Sequence, residues 1–166
     1  MPDPGTLLGV MSKRAGSFVV WVSAGVATGT GTCGKERFVG QQVVHFEVIG
    51  TDPAGLRRYY AALFGWEFRV GDAVSEEVSQ PGTYGFIDGS TVGNGTSING
   101  GIGGGDGRTR RVIFYVGVPS VEATLGAAES LGGTRLMGPL PATGEFSVGH
   151  FADPEGNVIG VAGPPR

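Results

Sequence analysis

The chain is short of charge, of cysteine and of any long apolar run. Of its 166 residues 16% are charged and the net charge is −3, with a pI near 5.3. So few cations cannot build the basic stripe that follows a phosphate backbone or an acidic lipid surface. Nucleic acid and membrane are therefore excluded as main partners. A single cysteine, Cys33, cannot form an intrachain disulfide and points to a reducing compartment, the cytoplasm. The most apolar stretch, Phe18 to Ala27, is too short to cross a bilayer as a helix. Glycine is abundant instead. The 33 glycines follow no three-residue period, which excludes a collagen-like rod and implies many turns and loops. A hydrophobic content of 40% suits a globular protein of one domain or two small fused modules.

The first forty residues differ from the rest. Lys13-Arg14 before Phe18–Ala27 gives residues 13–27 a weak likeness to a secretory signal, and Thr28 to Gly34 reads as a Gly-Thr linker. The reading adopted is a poorly ordered extension over residues 1–40, followed by a folded unit over 41–166.

From Val43 the pattern becomes regular. Val43-Val44-His45-Phe46-Glu47-Val48-Ile49 is rich in β-branched and aromatic residues and predicts a strand. Thr51-Asp52-Pro53 starts a helix. Leu56, Tyr59, Tyr60, Leu63 and Phe64 recur at helical spacing, which assigns the aromatic residues to helix–sheet packing, and Gly65 stops the helix. Trp66 to Val70, Thr83 to Asp88 and Thr96 to Ile102 predict three more strands. Gly100 to Gly107, with Arg108, Arg110 and Arg111, reads as a connector.

The pattern then recurs. Arg111 to Val118 is a strand, Pro119 to Leu131 a helix closed by Gly132-Gly133, and Thr134 to Met137, Phe146 to Ala152 and Val158 to Ala162 are strands. Asp153-Pro154-Glu155-Gly156-Asn157 reads as a tight turn between the last two. A strand–helix–three-strand unit thus occurs twice, about 65 to 70 residues apart. This predicts an α+β fold of two βαβββ modules, about 42–103 and about 110–163. They would form a curved eight-stranded mixed sheet with the helices on its outer face and a pocket on the other.

Val44-His45-Phe46-Glu47 with Asp52-Pro53, Arg58-Tyr59-Tyr60-Ala61-Ala62-Leu63-Phe64-Gly65-Trp66, and Phe151-Ala152-Asp153-Pro154-Glu155-Gly156-Asn157 together resemble the vicinal oxygen chelate superfamily. That superfamily contains glyoxalase I, extradiol dioxygenases and bleomycin-resistance proteins. In its metal-dependent members, four side chains on inner strands hold a divalent ion that chelates two neighbouring substrate oxygens. Carried over, the resemblance implies His45 as the first-strand ligand. It also implies Ile113 and Gly160 at two further ligand positions and a fourth near Asn99. Isoleucine and glycine replace ligands, so no metal or other cofactor is expected, beyond a divalent ion weakly bound.

His45 and Glu47 share a strand face and are candidates for general acid–base work. An alternative puts Glu47 near the rim, paired with an arginine. Strand parity places Ile113 and Tyr115 on that same face and Phe114 beneath a helix. Tyr84, Phe86, Asn99 and His150 complete the candidate ligand-binding set. His150 precedes the last hairpin, where strand parity is open, and reads otherwise as a surface or hydrogen-bonded structural histidine. These residues predict a site for a small, partly aromatic ligand. The expected function is a small-molecule binding protein of the bleomycin-resistance kind, assembled as a homodimer. The alternatives are a glyoxalase-type lyase or isomerase, or a dioxygenase, with a divalent metal, and a metal-free acid–base enzyme.

Overall fold

The computed structural model describes residues 40–72, 75–141 and 146–164. The expectations for the extension, the signal-like segment and Cys33 lie outside the described residues. The first module comprises β1 (Val43–Gly50), α1 (Pro53–Phe64), β2 (Arg69–Gly71), β3 (Tyr84–Ile87) and β4 (Asn99–Gly104). The second comprises β5 (Arg111–Gly117), α2 (Val121–Ser130), β6 (Thr134–Pro141), β7 (Ser147–Ala152) and β8 (Val158–Gly163).

All eight strands form one curved sheet in the order β2-β3-β4-β1-β5-β8-β7-β6. The order reads the same outward from the β1–β5 pair, so that pair carries an approximate twofold axis. β1–β4 and β5–β8 run parallel, the remaining neighbours antiparallel. This is the α+β arrangement expected from the repeat.

Local chemistry sets the helix ends. The Asp52 carboxylate accepts the amide of Gly55 at 2.8 Å, Pro53 occupies the first turn, and Gly65 closes α1 at φ 68°. A side chain at Gly65 would be strained in that left-handed conformation. α2 starts on Ser120, whose hydroxyl accepts the amide of Ala123 at 3.2 Å. In the last hairpin, Asp153 Oδ1 accepts the amides of Glu155 and Asn157, both at 2.9 Å. Hydrogen bonding from Asn157 holds the Asp153 carboxyl below its usual range.

The two helices meet the sheet differently. α2 buries Val121 and Leu125 against Val118 and Val161. α1 reaches the sheet through Leu56 over Gly50 and Arg57 over Gly85, and the Arg57 guanidinium donates to the carbonyl of Thr83. Its large apolar side chains do not form the expected buried layer: Tyr59, Leu63 and Phe64 are more than half exposed. Tyr60 meets the rings of Tyr59 and Phe64, and Tyr60 and Phe64 meet Trp66, which lies 5.0 Å from Phe64 and 5.5 Å from Phe46, ring centre to ring centre. Trp66 is thereby drawn out of the predicted strand, leaving β2 as Arg69–Gly71. Phe114 was expected beneath a helix and is instead 42% exposed. It sits opposite Phe46 on the central pair, where α1 does not cover it.

Candidate functional site

The face opposite the helices is built by strand alternation. His45, Glu47 and Ile49 alternate along β1 and are buried. Arg111, Ile113 and Tyr115 alternate along β5. The antiparallel register sets His45 opposite Tyr115 and Glu47 opposite Ile113. Tyr84 reaches in from β3 by lying across β4. It can do so because β4 carries glycine there: a Cβ at Gly101 would overlap the Tyr84 hydroxyl. Tyr115 likewise lies over β8 at Gly160, where a Cβ would overlap its ring.

Five of these side chains form one hydrogen-bonded chain. Tyr84 donates its hydroxyl to Glu47 Oε1 at 3.0 Å, and His45 Nε2 lies 2.9 Å from the same hydroxyl. Tyr115 donates to Glu47 Oε2 at 2.8 Å, and His150 Nε2 lies 2.7 Å from that hydroxyl. A hydroxyl has one proton. If each tyrosine gives it to Glu47, each histidine must supply Nε2–H to the tyrosine oxygen, which assigns the Nε2–H tautomer to both rings. Every donor then points along the chain toward Glu47.

All five groups are buried, Glu47 being 2% exposed. Burial raises the Glu47 pKa, opposed by the two tyrosine hydrogen bonds and the nearby Arg111 charge. Burial lowers both imidazoles to about 4, with the Arg111 charge adding to the effect on His150. Burial and the Glu47 charge push both phenols up. At neutral pH the chain therefore holds neutral imidazoles and protonated phenols.

The other candidate residues are placed as follows. Ile113 packs against Tyr115 and Val148. Phe86 is half-buried and stacks on His45, with ring centres 6.2 Å apart and planes within 9°. The Arg69 guanidinium lies 5.2 Å from the Phe86 ring centre. Asn99 is turned aside to accept the amide of Gly89 at 3.0 Å. Glu47 is enclosed rather than at a rim, and hydrogen-bonded to tyrosines rather than to an arginine. Met137 of β6 packs on both buried clusters of this face and helps to close it.

Two participants were not singled out from the sequence. Arg111 was read as part of a connector, although its parity with Ile113 and Tyr115 carried the signal. Gly101 was missed because the Gly-rich segment resisted alignment. The register identifies it: Tyr115 pairs with Gly160, and Glu47, the repeat partner of Tyr115, pairs with Gly101. Gly101, not Asn99, is thus the counterpart of Gly160.

The four positions that would hold a chelated metal are then His45, Gly101, Ile113 and Gly160. The tyrosine rings occupy the space that ligand side chains at both glycines would need. Among the described residues no group of three His, Cys, Asp or Glu side chains is placed to hold a metal ion. The residues present do not fit that ion.

Residues 43–162 match the sequence profile of the glyoxalase-like domain family. The chain belongs to this family. No curated protein matches it in sequence. Among solved structures, a variant of Streptomyces coelicolor methylmalonyl-CoA epimerase in complex with 2-nitronate-propionyl-CoA is similar with a TM-score of 0.55 and 14% identity. That match covers 76% of this chain and 99% of the epimerase. Methylmalonyl-CoA epimerase in complex with methylmalonyl-CoA and NH4+ matches at TM-score 0.54 and 14% identity, over 75% and 94% of the two chains. A glyoxalase/bleomycin resistance protein/dioxygenase superfamily member from Vibrio splendidus 12B01 matches at 0.48 and 12%, over 75% and 99%. At 14% identity the likeness to the epimerases shows the fold, and this fold hosts several chemistries. Among the described residues of this glyoxalase-like protein, no helix is long and apolar enough to cross a membrane.

Proposed function

We propose that the face opposite the helices binds a small, partly aromatic, oxygen-bearing molecule without a metal, and that the protein holds this ligand rather than transforming it. The closed hydrogen-bonded chain through Glu47 carries this reading. Both Glu47 oxygens already accept tyrosine hydroxyls, and both Nε2 atoms face those hydroxyls. A substrate must break into this closed chain before Glu47, 2% exposed, can take a proton from it as a general base. The His45–Phe86 stack offers an aromatic ligand a flat surface at the less enclosed end of the chain.

Ligand-observed NMR with catechol, salicylate, benzoate and phenol tests this. At least one should bind, and His45→Ala should weaken it by about tenfold, or 1.4 kcal/mol. No binder in the set, or equal binding by the variant, would contradict the proposal. No cofactor is assigned, and purified protein should carry well under one equivalent of Zn, Ni, Fe or Mn.

One observation favours a second reading, metal-free acid–base chemistry. Burial raises the Glu47 pKa toward that of a base able to take a proton from carbon next to a carbonyl. The shared fold of the epimerases agrees with it by analogy alone. Glu47-dependent deuterium uptake from D2O into a bound carbonyl compound would establish this reading in place of sequestration.

We also propose a homodimer working in the cytoplasm, with residues 1–40 outside the functional unit. The exposed Tyr59, Leu63 and Phe64 offer apolar surface to a second copy, and the single cysteine suits a reducing compartment. Light scattering at micromolar concentration should give twice the 17.0 kDa chain mass; the monomer mass would contradict it. Removing residues 1–39 should leave Tm nearly unchanged, and a large fall would place a structural element there.

A further inference from the structure

A cavity of about 570 Å³ opens at the end of the sheet, where β1 leaves for α1 and β5 enters. Its volume falls within the range of small-molecule sites. Val48, Leu56 and Val112 supply apolar lining, and Arg110 and Arg111 line it as well. None of the five residues of the Glu47 chain lines it; Arg111, whose charge reaches Glu47, stands between the two places.

Neither arginine is held in a close ion pair, although the Arg111 charge also reaches Glu47. Arg108, close by in the chain, is committed to the carbonyl oxygens of Glu76 and Glu77. Among the described residues, neither Arg110 nor Arg111 has an ion pair. Arg111 Nε is enclosed and has no hydrogen-bond acceptor there. The acid of the lining, Asp52, is engaged by the Gly55 amide, and two guanidinium groups against one carboxylate leave the lining positive.

We propose that this cavity is a second binding site, taking a small organic carboxylate with an apolar body. The guanidinium fork matches a carboxylate in geometry and charge. Val48, Leu56 and Val112 would cover the hydrocarbon part. An anion without such a body forgoes those contacts, so the site discriminates by chain length as well as by charge.

Backbone amide NMR on the full chain tests this, with sodium hexanoate, acetate and inorganic phosphate titrated at constant ionic strength. Hexanoate should shift the amides of Thr51, Gly55 and Val112 saturably, and bind about tenfold more tightly than acetate or phosphate. Arg111→Gln should weaken it about tenfold. Val112 is already 74% exposed, so Val112→Glu leaves the fold intact while placing a negative charge at the cavity, and it should abolish binding. The proposal is overturned if hexanoate gives no saturable shift at these amides, if all three anions bind equally, or if Val112→Glu binds as well as the parent. The readout lies away from His45 and Phe86, so failure here is distinct from failure of the proposed function.

Discussion

The two modules present different side chains at matching points of the same topology. Where the first places His45, Glu47, Tyr84 and Phe86 on the inner face, the second places Ile113, Tyr115, Val148 and His150. On the outer face the contrast runs the other way. α2 buries Val121 and Leu125, whereas Pro53 is the buried residue of α1. The first module therefore supplies the carboxylate and most of the polar chemistry, and the second supplies the firmer helix–sheet core. A chelated ion demands donors from both halves at once. A hydrogen-bonded chain centred on one carboxylate does not: it needs partners for that carboxylate, and the second module meets the need with Tyr115 and His150. Glycine at both Gly101 and Gly160 then follows, because each lies beneath a tyrosine of the chain.

The largest expected effect breaks the comparison at the helices. Leu125→Ala in α2 should cost about 2–5 kcal/mol in urea unfolding, as for a fully buried leucine. Leu63→Ala in α1, at 54% exposure, should fall within about 0.5 kcal/mol of the parent. Similar losses at the two sites would mean that the helices are equally load-sharing.

Acid unfolding sharpens the comparison on the inner face, since each module contributes one imidazole. Unfolded, both titrate near 6.5; folded, both lie at about 4. The unfolded chain binds these protons more readily. The stability each neutral ring contributes is thus fully present above pH 6.5 and is lost as pH falls from 6.5 toward 4, roughly 3 kcal/mol per ring. Glu47 acts in the opposite sense: its folded pKa lies above 4.5, so its cost to the fold grows as pH rises past 4.5. His45→Gln and His150→Gln should each flatten the acid limb by a similar amount. A limb unchanged by either variant would place that ring outside the chain.

A smaller effect tests the glycines. Gly101→Ala and Gly160→Ala should each cost about 1–3 kcal/mol through overpacking, by displacing Tyr84 and Tyr115 respectively. Tyr84→Phe should cost less in the Gly101→Ala background than in the parent, because it is the hydroxyl end of Tyr84 that a Cβ at Gly101 meets. Equal costs in the two backgrounds would mean that backbone strain, not the tyrosine, sets the Gly101→Ala loss.

Much of this arrangement was legible in the sequence. Alternation along Val43–Ile49 and Arg111–Val118 put His45, Glu47, Ile113 and Tyr115 on one face, and the turn at Asp153–Asn157 fixed the last hairpin. The pairing of these residues was not legible. Tyr84 comes from a strand one removed from β1, and its reach depends on glycines whose value lies in having no side chain. Periodicity reports a preference for burial but not the contact that satisfies it. For the same reason Tyr59 and Phe64 read as core: their helical spacing is real, but Tyr60 and Trp66, rather than the sheet, are their ring partners. Arg111 was obscured by its place at the end of a Gly-rich run.

The most direct test of the central claim uses the two histidines, the only ones in the chain. Long-range 1H–15N spectra of their rings, recorded from pH 7 to 4 with and without one equivalent of Zn, read tautomer, protonation and metal ligation together. A metal-free chain centred on Glu47 predicts neutral Nε2–H rings for both His45 and His150 down to about pH 4, with shifts unmoved by zinc. Protonation near pH 6.5, or movement of the His45 Nε2 signal on adding zinc, would contradict it.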